Sequence, residues 1–236
     1  MKDFWQKLKI YGPGKFFRFA VLEVWHKLYL QTIKGSYSQK GEDLVIDRLL
    51  SYKKAGFYVD VGAGDPDRFS NTKRFYLRGW QGINSEPNFS NYQKLVAARP
   101  KDINLNLGVA KEKGELTFYE IFPDTLSTFS KEEAAKRQAE GYYIVRETKV
   151  PVETLANILA EHLGDNVIDF LSVDTEGFDL IVLQSNDWTK YRPQVICLES
   201  AVGKATNINR QPGEYLESLG YQKAYDNGLN CLYLAC

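Results

Sequence analysis

Four acidic residues lie within or directly after short strand-like runs of the chain: Asp60, Glu86, Asp174 and Glu199. In an open sheet of parallel strands, the carboxyl ends of the strands meet at one edge, and ligands bind in the crevice there. A carboxylate at that edge can accept hydrogen bonds from ligand hydroxyls, remove a proton or coordinate a hard cation. We therefore expect these side chains to face one ligand site.

The first of these runs ends in a glycine turn, within residues 56–67 (GFYVDVGAGDPD). A dinucleotide fingerprint needs the pattern G-x-G-x-x-G, and here Gly62 and Gly64 fit but Asp67 occupies the third glycine position. Asp65 and Asp67 would repel a pyrophosphate at the helix start, and a Walker lysine is absent. The turn therefore favours a nucleoside-type ligand that is cationic and has no phosphate.

S-adenosylmethionine has these properties, since it carries a sulfonium and an ammonium group. Its ribose calls for a carboxylate at the end of the second strand. Glu86 follows the turn by about 20 residues, which is near the spacing of ribose-binding acids.

The elements that must position these residues alternate between strands and helices, which predicts a mostly parallel sheet covered on both faces. The Asp226-Asn227-Gly228 turn predicts a terminal hairpin, which adds an antiparallel edge. The predicted strands are 57–61, 81–86, 103–109, 115–120, 168–173, 195–198, 221–225 and 229–235. The predicted helices are 36–50, 70–79, 90–98, 131–140, 154–163, 178–183 and 212–219.

Composition excludes several classes of protein. The 30 basic and 30 acidic residues cancel, which argues against binding nucleic acid through bulk charge. With two histidines, His26 and His162, a histidine triad or a multi-histidine metal site is nearly excluded. Three cysteines without metal-ligand spacing favour a reducing compartment, so the expected location is cytoplasmic.

Residues 1–35 differ from the rest, with seven basic residues against two acidic ones and many large apolar side chains. Charges interrupt the apolar run, so the segment is too short to span a bilayer. We predict a basic amphipathic helical arm, and in one hypothesis this arm lies on an anionic membrane face. The alternative is a helix packed on the domain or on a second subunit. Residues 36–236 then form the main domain.

The chain from about 36 to 234 resembles the FkbM-type S-adenosylmethionine-dependent methyltransferases. The motifs that carry the resemblance are SYSQKGEDLVI, FYVDVGAGDPDRFSNT, RGWQGINSEPN, TLSTFS, DFLSVDTEGFDLIVL and YRPQVICLES. The Ala63–Pro66 segment departs slightly from the form associated with many members, and we infer no change of cofactor from that. The resemblance implies an α/β fold: a doubly wound, mostly parallel seven-stranded sheet of the class I methyltransferase (Rossmann-like) type with a C-terminal antiparallel hairpin.

The resemblance also implies the cofactor contacts. In that family the first turn holds the methionine end of the cofactor and the acid after the second strand holds the ribose. The predicted cofactor site comprises Asp60, Gly62, Ala63, Gly64, Glu86, Asn106 and Asp174. Of these, Asn106 lies in the predicted third strand.

Methyl transfer to a hydroxyl needs an aligned acceptor and help in removing its proton. The candidate catalytic residues are Asp174 and Glu199. In one hypothesis Asp174 is the general base and Glu199 orients the acceptor. In the other, Asp174 and Glu199 hold a Mg²⁺ ion that binds the acceptor oxygens.

Residues 121–150 are expected to cover the acceptor site. The candidate substrate contacts are Ser127, Thr128, Tyr142, Tyr143 and Glu176, although charge at a helix start would also explain Glu176.

The sequence thus predicts an O-methyltransferase that acts on a sugar hydroxyl of a glycan, polysaccharide or glycosylated metabolite. A nicotinamide-dependent oxidoreductase is the alternative enzyme, weakened by Asp67. A non-catalytic cofactor-binding or scaffold protein of the same fold is a third class.

Overall fold

Strands and helices alternate along the part of the chain that the structure describes. The computed structural model describes residues 26–200 and 211–236, together with Gly14, Phe17, Val21 and Val24. In these ranges the strands are β1 (Phe57–Val61), β2 (Gln81–Ser85), β3 (Ile103–Leu105), β4 (Gly108–Val109), β5 (Gly114–Phe122), β6 (Tyr143–Glu153), β7 (Phe170–Val173), β8 (Val195–Glu199), β9 (Tyr221–Asp226) and β10 (Asn230–Ala235). The α-helices are α1 (Glu42–Leu49), α2 (Lys73–Leu77), α3 (Phe89–Ala98), α4 (Lys131–Ala139), α5 (Leu155–His162), α6 (Asp179–Gln184) and α7 (Gln211–Ser218). A π-helix spans His26–Lys34 and a 3₁₀ turn spans Asp124–Leu126.

Seven strands form one sheet in the order β3-β2-β1-β7-β8-β10-β9. Within this sheet β3, β2, β1, β7 and β8 run parallel to one another. Strand β10 runs antiparallel to both β8 and β9. The chain moves outward from β1 to β3 and then returns to β7 on the other side of β1. This reversal opens a crevice at the carboxyl ends of the central strands. The predicted doubly wound, mostly parallel sheet with a C-terminal antiparallel hairpin is confirmed.

The alternation of side chains along the central strands builds a core on each face of this sheet. Val59 and Val61 pack into a large cluster that includes Leu155 and Leu183 from α5 and α6. Tyr58 points the other way and joins a second cluster of buried side chains. Because both faces of β1 are covered, all five of its residues are buried.

A second, smaller sheet covers one end of the crevice, with strand order β4-β6-β5. The prediction of a single third strand over 103–109 is wrong, because residues 103–105 join the main sheet and residues 108–109 join the small one. The Asn106 side chain separates the two pieces by donating to the Glu86 and Pro87 carbonyls at 2.8 and 3.2 Å. The predicted strand over 115–120 is longer and belongs to the small sheet.

The helix predicted over 36–50 begins only at Glu42. Asp43 explains the difference, because its carboxylate accepts hydrogen bonds from the Ser36 and Ser38 hydroxyls and from the Tyr37 amide. These bonds hold the preceding residues in a loop, and Gly41 takes the cap position without a side-chain hydrogen bond.

Most of the predicted N-terminal arm lies outside the described residues. Among those that are described, Phe17, Val21 and Val24 are helical and exposed, and Leu30 is buried. Within the described ranges, no helix is both long and apolar enough to cross a membrane.

Candidate active site

The strand register places the predicted acidic residues and the glycine turn at the same edge of the sheet, at the carboxyl ends of the strands. Val61 is level with Ser85 on one side and Val173 on the other, and Val173 is level with Leu198. The next residue of each strand therefore emerges at the same edge: Gly62, Glu86, Asp174 and Glu199. All four border one cavity of about 380 Å³.

The turn after β1 requires glycine at position 62. Gly62 has a φ of +78°, and a Cβ atom there would lie 2.0 Å from the Asp174 carbonyl oxygen. The amides of Gly62 and Ala63 donate to the Ser85 carbonyl at 2.9 and 3.2 Å. Gly64, with a φ of +62°, completes the turn. The loops after β1, β2 and β7 are thus in contact, and they form the floor of the cavity.

Glu86 is held with its carboxylate at this turn. It is 4% exposed, and it accepts hydrogen bonds from the Gly64 amide at 2.6 Å and the Asn88 amide at 2.7 Å. Burial raises the pKa of Glu86 to about 7, although these two bonds act in the opposite direction. A carboxylate has about four acceptor sites. Two therefore remain for a ligand's hydroxyl groups.

Two of the predicted cofactor residues do not border the cavity. Asp60 is buried and accepts a hydrogen bond from the Thr72 hydroxyl at 2.6 Å, and burial raises the pKa of its carboxyl group despite that bond and the nearby Arg99. Asn106 uses its side-chain amide on the carbonyls of Glu86 and the following proline, as described above. Asp60 and Asn106 therefore hold neighbouring segments in place by hydrogen bonds but do not line the cavity themselves.

The loop after β7 and the end of β8 also border the cavity. Asp174 is exposed and Glu199 is half-buried, and both border the cavity. Glu176 also borders the cavity, but its carboxylate accepts a hydrogen bond from Arg137 at 3.1 Å. The described residues contain no group of three or more His, Cys, Asp or Glu side chains that could hold a metal ion. The magnesium alternative for Asp174 and Glu199 gains no support from them.

The predicted cover contributes three of its four candidate residues to the cavity wall. Thr128 donates to the Glu176 carbonyl at 2.9 Å, which ties the cover to the loop after β7, and Ser127 accepts from the Ile121 amide at 3.1 Å within the cover. Tyr142 is half-buried at the wall. Tyr143 is 59% exposed and does not border the cavity.

Several cavity residues were not predicted: Asp65, Arg68, Asn71, Asp124, Phe129 and Arg137. The side chain of Asn71 donates to the Ser172 hydroxyl at 3.2 Å, which ties the start of α2 to β7. Burial alone would lower the pKa of Arg137, but nearby glutamates, Glu176 foremost, raise it above its ordinary value. The sequence did not indicate that Arg137 borders the cavity, because it lies in a polar helix whose charges are typical of a solvated surface.

Comparison with known proteins identifies the family. The model of the methyltransferase FkbM domain matches residues 60–227. The chain belongs to this family. No curated protein sequence matched the chain.

The FkbM domain fold has distant likenesses among solved structures. A TehB-like methyltransferase from Corynebacterium glutamicum aligns at 10% identity and a TM-score of 0.41, covering 92% of this chain and 99% of that one. A protein described as a candidate O-methyltransferase from Klebsiella pneumoniae aligns at 13% identity and a TM-score of 0.39, covering 97% and 94%.

As an FkbM methyltransferase, the protein uses S-adenosylmethionine, and the cavity fits this cofactor. Because Gly62 lacks a Cβ atom, the turn packs closely on the Asp174 backbone, and Gly62, Ala63 and Gly64 border the cavity. The remaining acceptor sites of Glu86 suit the ribose hydroxyls. The bound cofactor supplies an activated methyl group on a sulfonium ion. Gly62, Ala63, Gly64 and Glu86 are the residues that would hold it.

Proposed function

We propose that this FkbM methyltransferase methylates a hydroxyl group on a sugar of a glycan, polysaccharide or glycosylated metabolite. The observation that carries the proposal is the shared cavity, in which Asp174 and Glu199 border the same space as the glycine turn and Glu86. A sugar hydroxyl is a poor nucleophile near neutral pH and needs a base beside it. His162 does not border the cavity, whereas Asp174 and Glu199 do, so these carboxylates are the available bases.

Asp174 has the role of general base in this proposal. The alignment of the acceptor oxygen with the methyl group supplies most of the rate enhancement, and removal of the hydroxyl proton by the Asp174 carboxylate supplies the rest. Glu199 accepts a hydrogen bond from a neighbouring hydroxyl and so orients the acceptor. Tyr142, half-buried at the wall, provides a flat face and a hydroxyl of the kind that sugars use.

A screen of acceptors tests the proposal. The protein is incubated with S-adenosylmethionine labelled in the methyl group and with sugar nucleotides, oligosaccharides and glycosylated metabolites, and each labelled product is analysed for its methyl linkage. A methyl ether on a sugar ring is the expected product. Label on a nitrogen or carbon atom would reject the proposal.

Calorimetry tests the alternative enzyme class separately. S-adenosylhomocysteine is expected to bind, whereas NAD is not, since Asp67 replaces the third glycine of the dinucleotide turn. Binding of NAD without binding of S-adenosylhomocysteine would favour an oxidoreductase.

A further inference from the structure

The loop that follows β7 contains a strained residue next to the proposed base. Glu176 has a φ of +49° and Gly177 has a φ of +96°. For a residue with a side chain, this left-handed conformation costs about 1 kcal/mol or more. It persists only where surrounding contacts enforce it, and such positions cluster at functional sites.

The contacts that enforce it come from the cover of the cavity. Thr128 donates its hydroxyl to the Glu176 carbonyl at 2.9 Å, and Arg137 of α4 donates to the Glu176 carboxylate at 3.1 Å. Helix α4 also packs directly on the loop, because a Cβ atom at Gly177 would lie 2.9 Å from the Glu133 Cγ atom. The cover therefore contacts the loop in three ways: a hydrogen bond to its backbone, an ion pair with the Glu176 side chain, and the packing of α4 against Gly177.

The sheet and helix α6 fix the other side of the same loop. The Asp174 amide donates to the Val61 carbonyl at 3.0 Å, and the Thr175 amide donates to the Asp179 carboxylate at 3.0 Å. The backbone of Asp174 is thus anchored to β1, and Glu176, two residues further along the chain, is anchored to the cover. A change in the seating of α4 would be transmitted to Asp174 through two residues of chain.

We propose that Arg137 and Glu176 form a latch that positions Asp174 when the cover is seated over the acceptor. The proposal rests on the proposed function, in which Asp174 is the base. The side chains of Arg137 and Glu176 are 13% and 16% exposed, so the pair is partly shielded from water. It is therefore stronger than an ordinary surface ion pair. Glu176 is accordingly a positioning residue.

The chain offers a matched control. Arg137 donates from its other terminal nitrogen to Glu140 at 3.2 Å, at the solvent side of α4. Glu140→Gln removes one charged partner of the same guanidinium but leaves the loop contact intact. Arg137→Met and Glu176→Gln break the latch, and Arg137→Lys keeps a cation at this position.

The first measurement is hydrogen exchange of amides 131–139 and 175–178, with thermal unfolding in parallel. Arg137→Met and Glu176→Gln are expected to exchange faster in both segments than the wild type, at an almost unchanged midpoint of unfolding. Glu140→Gln should match the wild type. Unchanged exchange in Arg137→Met and Glu176→Gln would overturn the latch.

The second measurement separates kcat from cofactor affinity, with the acceptor found in the screen. The two latch-breaking variants are expected to lose roughly 10- to 100-fold in kcat, the range typical of a catalytic group displaced by about 1 Å, while the Kd for S-adenosylhomocysteine stays within about twofold. Arg137→Lys should recover part of kcat. Unchanged kcat, or a loss of kcat matched by a loss of cofactor affinity, would overturn the positioning role.

The Asp174→Asn variant separates failure of the latch from failure of the proposed function. Activity in Asp174→Asn at the wild-type level would reject Asp174 as the base, whatever the latch variants do. An inactive Asp174→Asn together with fully active latch variants would reject only the latch.

Discussion

Glu86 should make cofactor binding depend on pH. Its pKa is raised to about 7 by burial, from an ordinary value of 4.5. Ribose hydroxyls donate hydrogen bonds to the ionised carboxylate, so a cofactor that binds this form loses affinity as pH falls through 7. At pH 6 about nine-tenths of Glu86 is protonated, and the affinity should be roughly tenfold weaker than at pH 8.

The same group should affect the stability of the cofactor-free protein in the opposite direction. Between pH 4.5 and 7, the folded state retains a proton on Glu86 that the unfolded state has released. The free energy of unfolding therefore falls as pH rises through this window, and the total contribution is about 3 kcal/mol. Cofactor-free protein should lose stability over this range, while the stabilisation by S-adenosylhomocysteine grows.

Calorimetric titration with S-adenosylhomocysteine from pH 6 to pH 8 checks this prediction. Glu86→Gln should bind about 10- to 100-fold more weakly, the usual range for losing charged hydrogen bonds, and this component of the pH dependence should disappear. Glu112→Gln removes the same charge from an exposed position and should behave like the wild type. A flat pH profile in the wild type, or the same profile in Glu86→Gln, would refute the reasoning.

Two further changes test other parts of the account. Gly62→Ala should abolish detectable binding of S-adenosylhomocysteine, because its Cβ atom would lie 2.0 Å from the Asp174 carbonyl in a left-handed turn, and retained binding would contradict the proposed floor of the site. Replacing Phe17, Val21 and Val24 together with serine should abolish pelleting with anionic vesicles, since these apolar side chains are exposed in a basic segment, and equal pelleting of both forms would reject the membrane contact.

Sequence reasoning was most successful where residue types constrain the backbone. Glycines that end strands and helices, together with apolar runs, located most of the strands, and the Asn227-Gly228 turn located the terminal hairpin. Because ligands bind at the carboxyl ends of parallel strands, the positions of Glu86, Asp174 and Glu199 at one edge followed from the strand assignment.

Side-chain direction and distant contacts could not be predicted in this way. Asp60 lies one residue before the end of β1, so the strand alternation points it into the polar network around Thr72 rather than into the cavity. Arg137 reaches the cavity only because the small sheet folds α4 over the loop after β7. No local pattern in the sequence pairs Arg137 with Glu176, which are 39 positions apart.

The most direct test of the central claim compares Asp174→Asn with the wild type in a single experiment. Both proteins are saturated with S-adenosylmethionine labelled in the methyl group and mixed with the acceptor, and transfer is followed in a single turnover beside a calorimetric measurement of S-adenosylhomocysteine binding. The wild type should transfer the label to a sugar hydroxyl. Asp174→Asn should bind S-adenosylhomocysteine within about twofold of the wild type but fail to transfer. Transfer by Asp174→Asn at the wild-type rate would contradict the account.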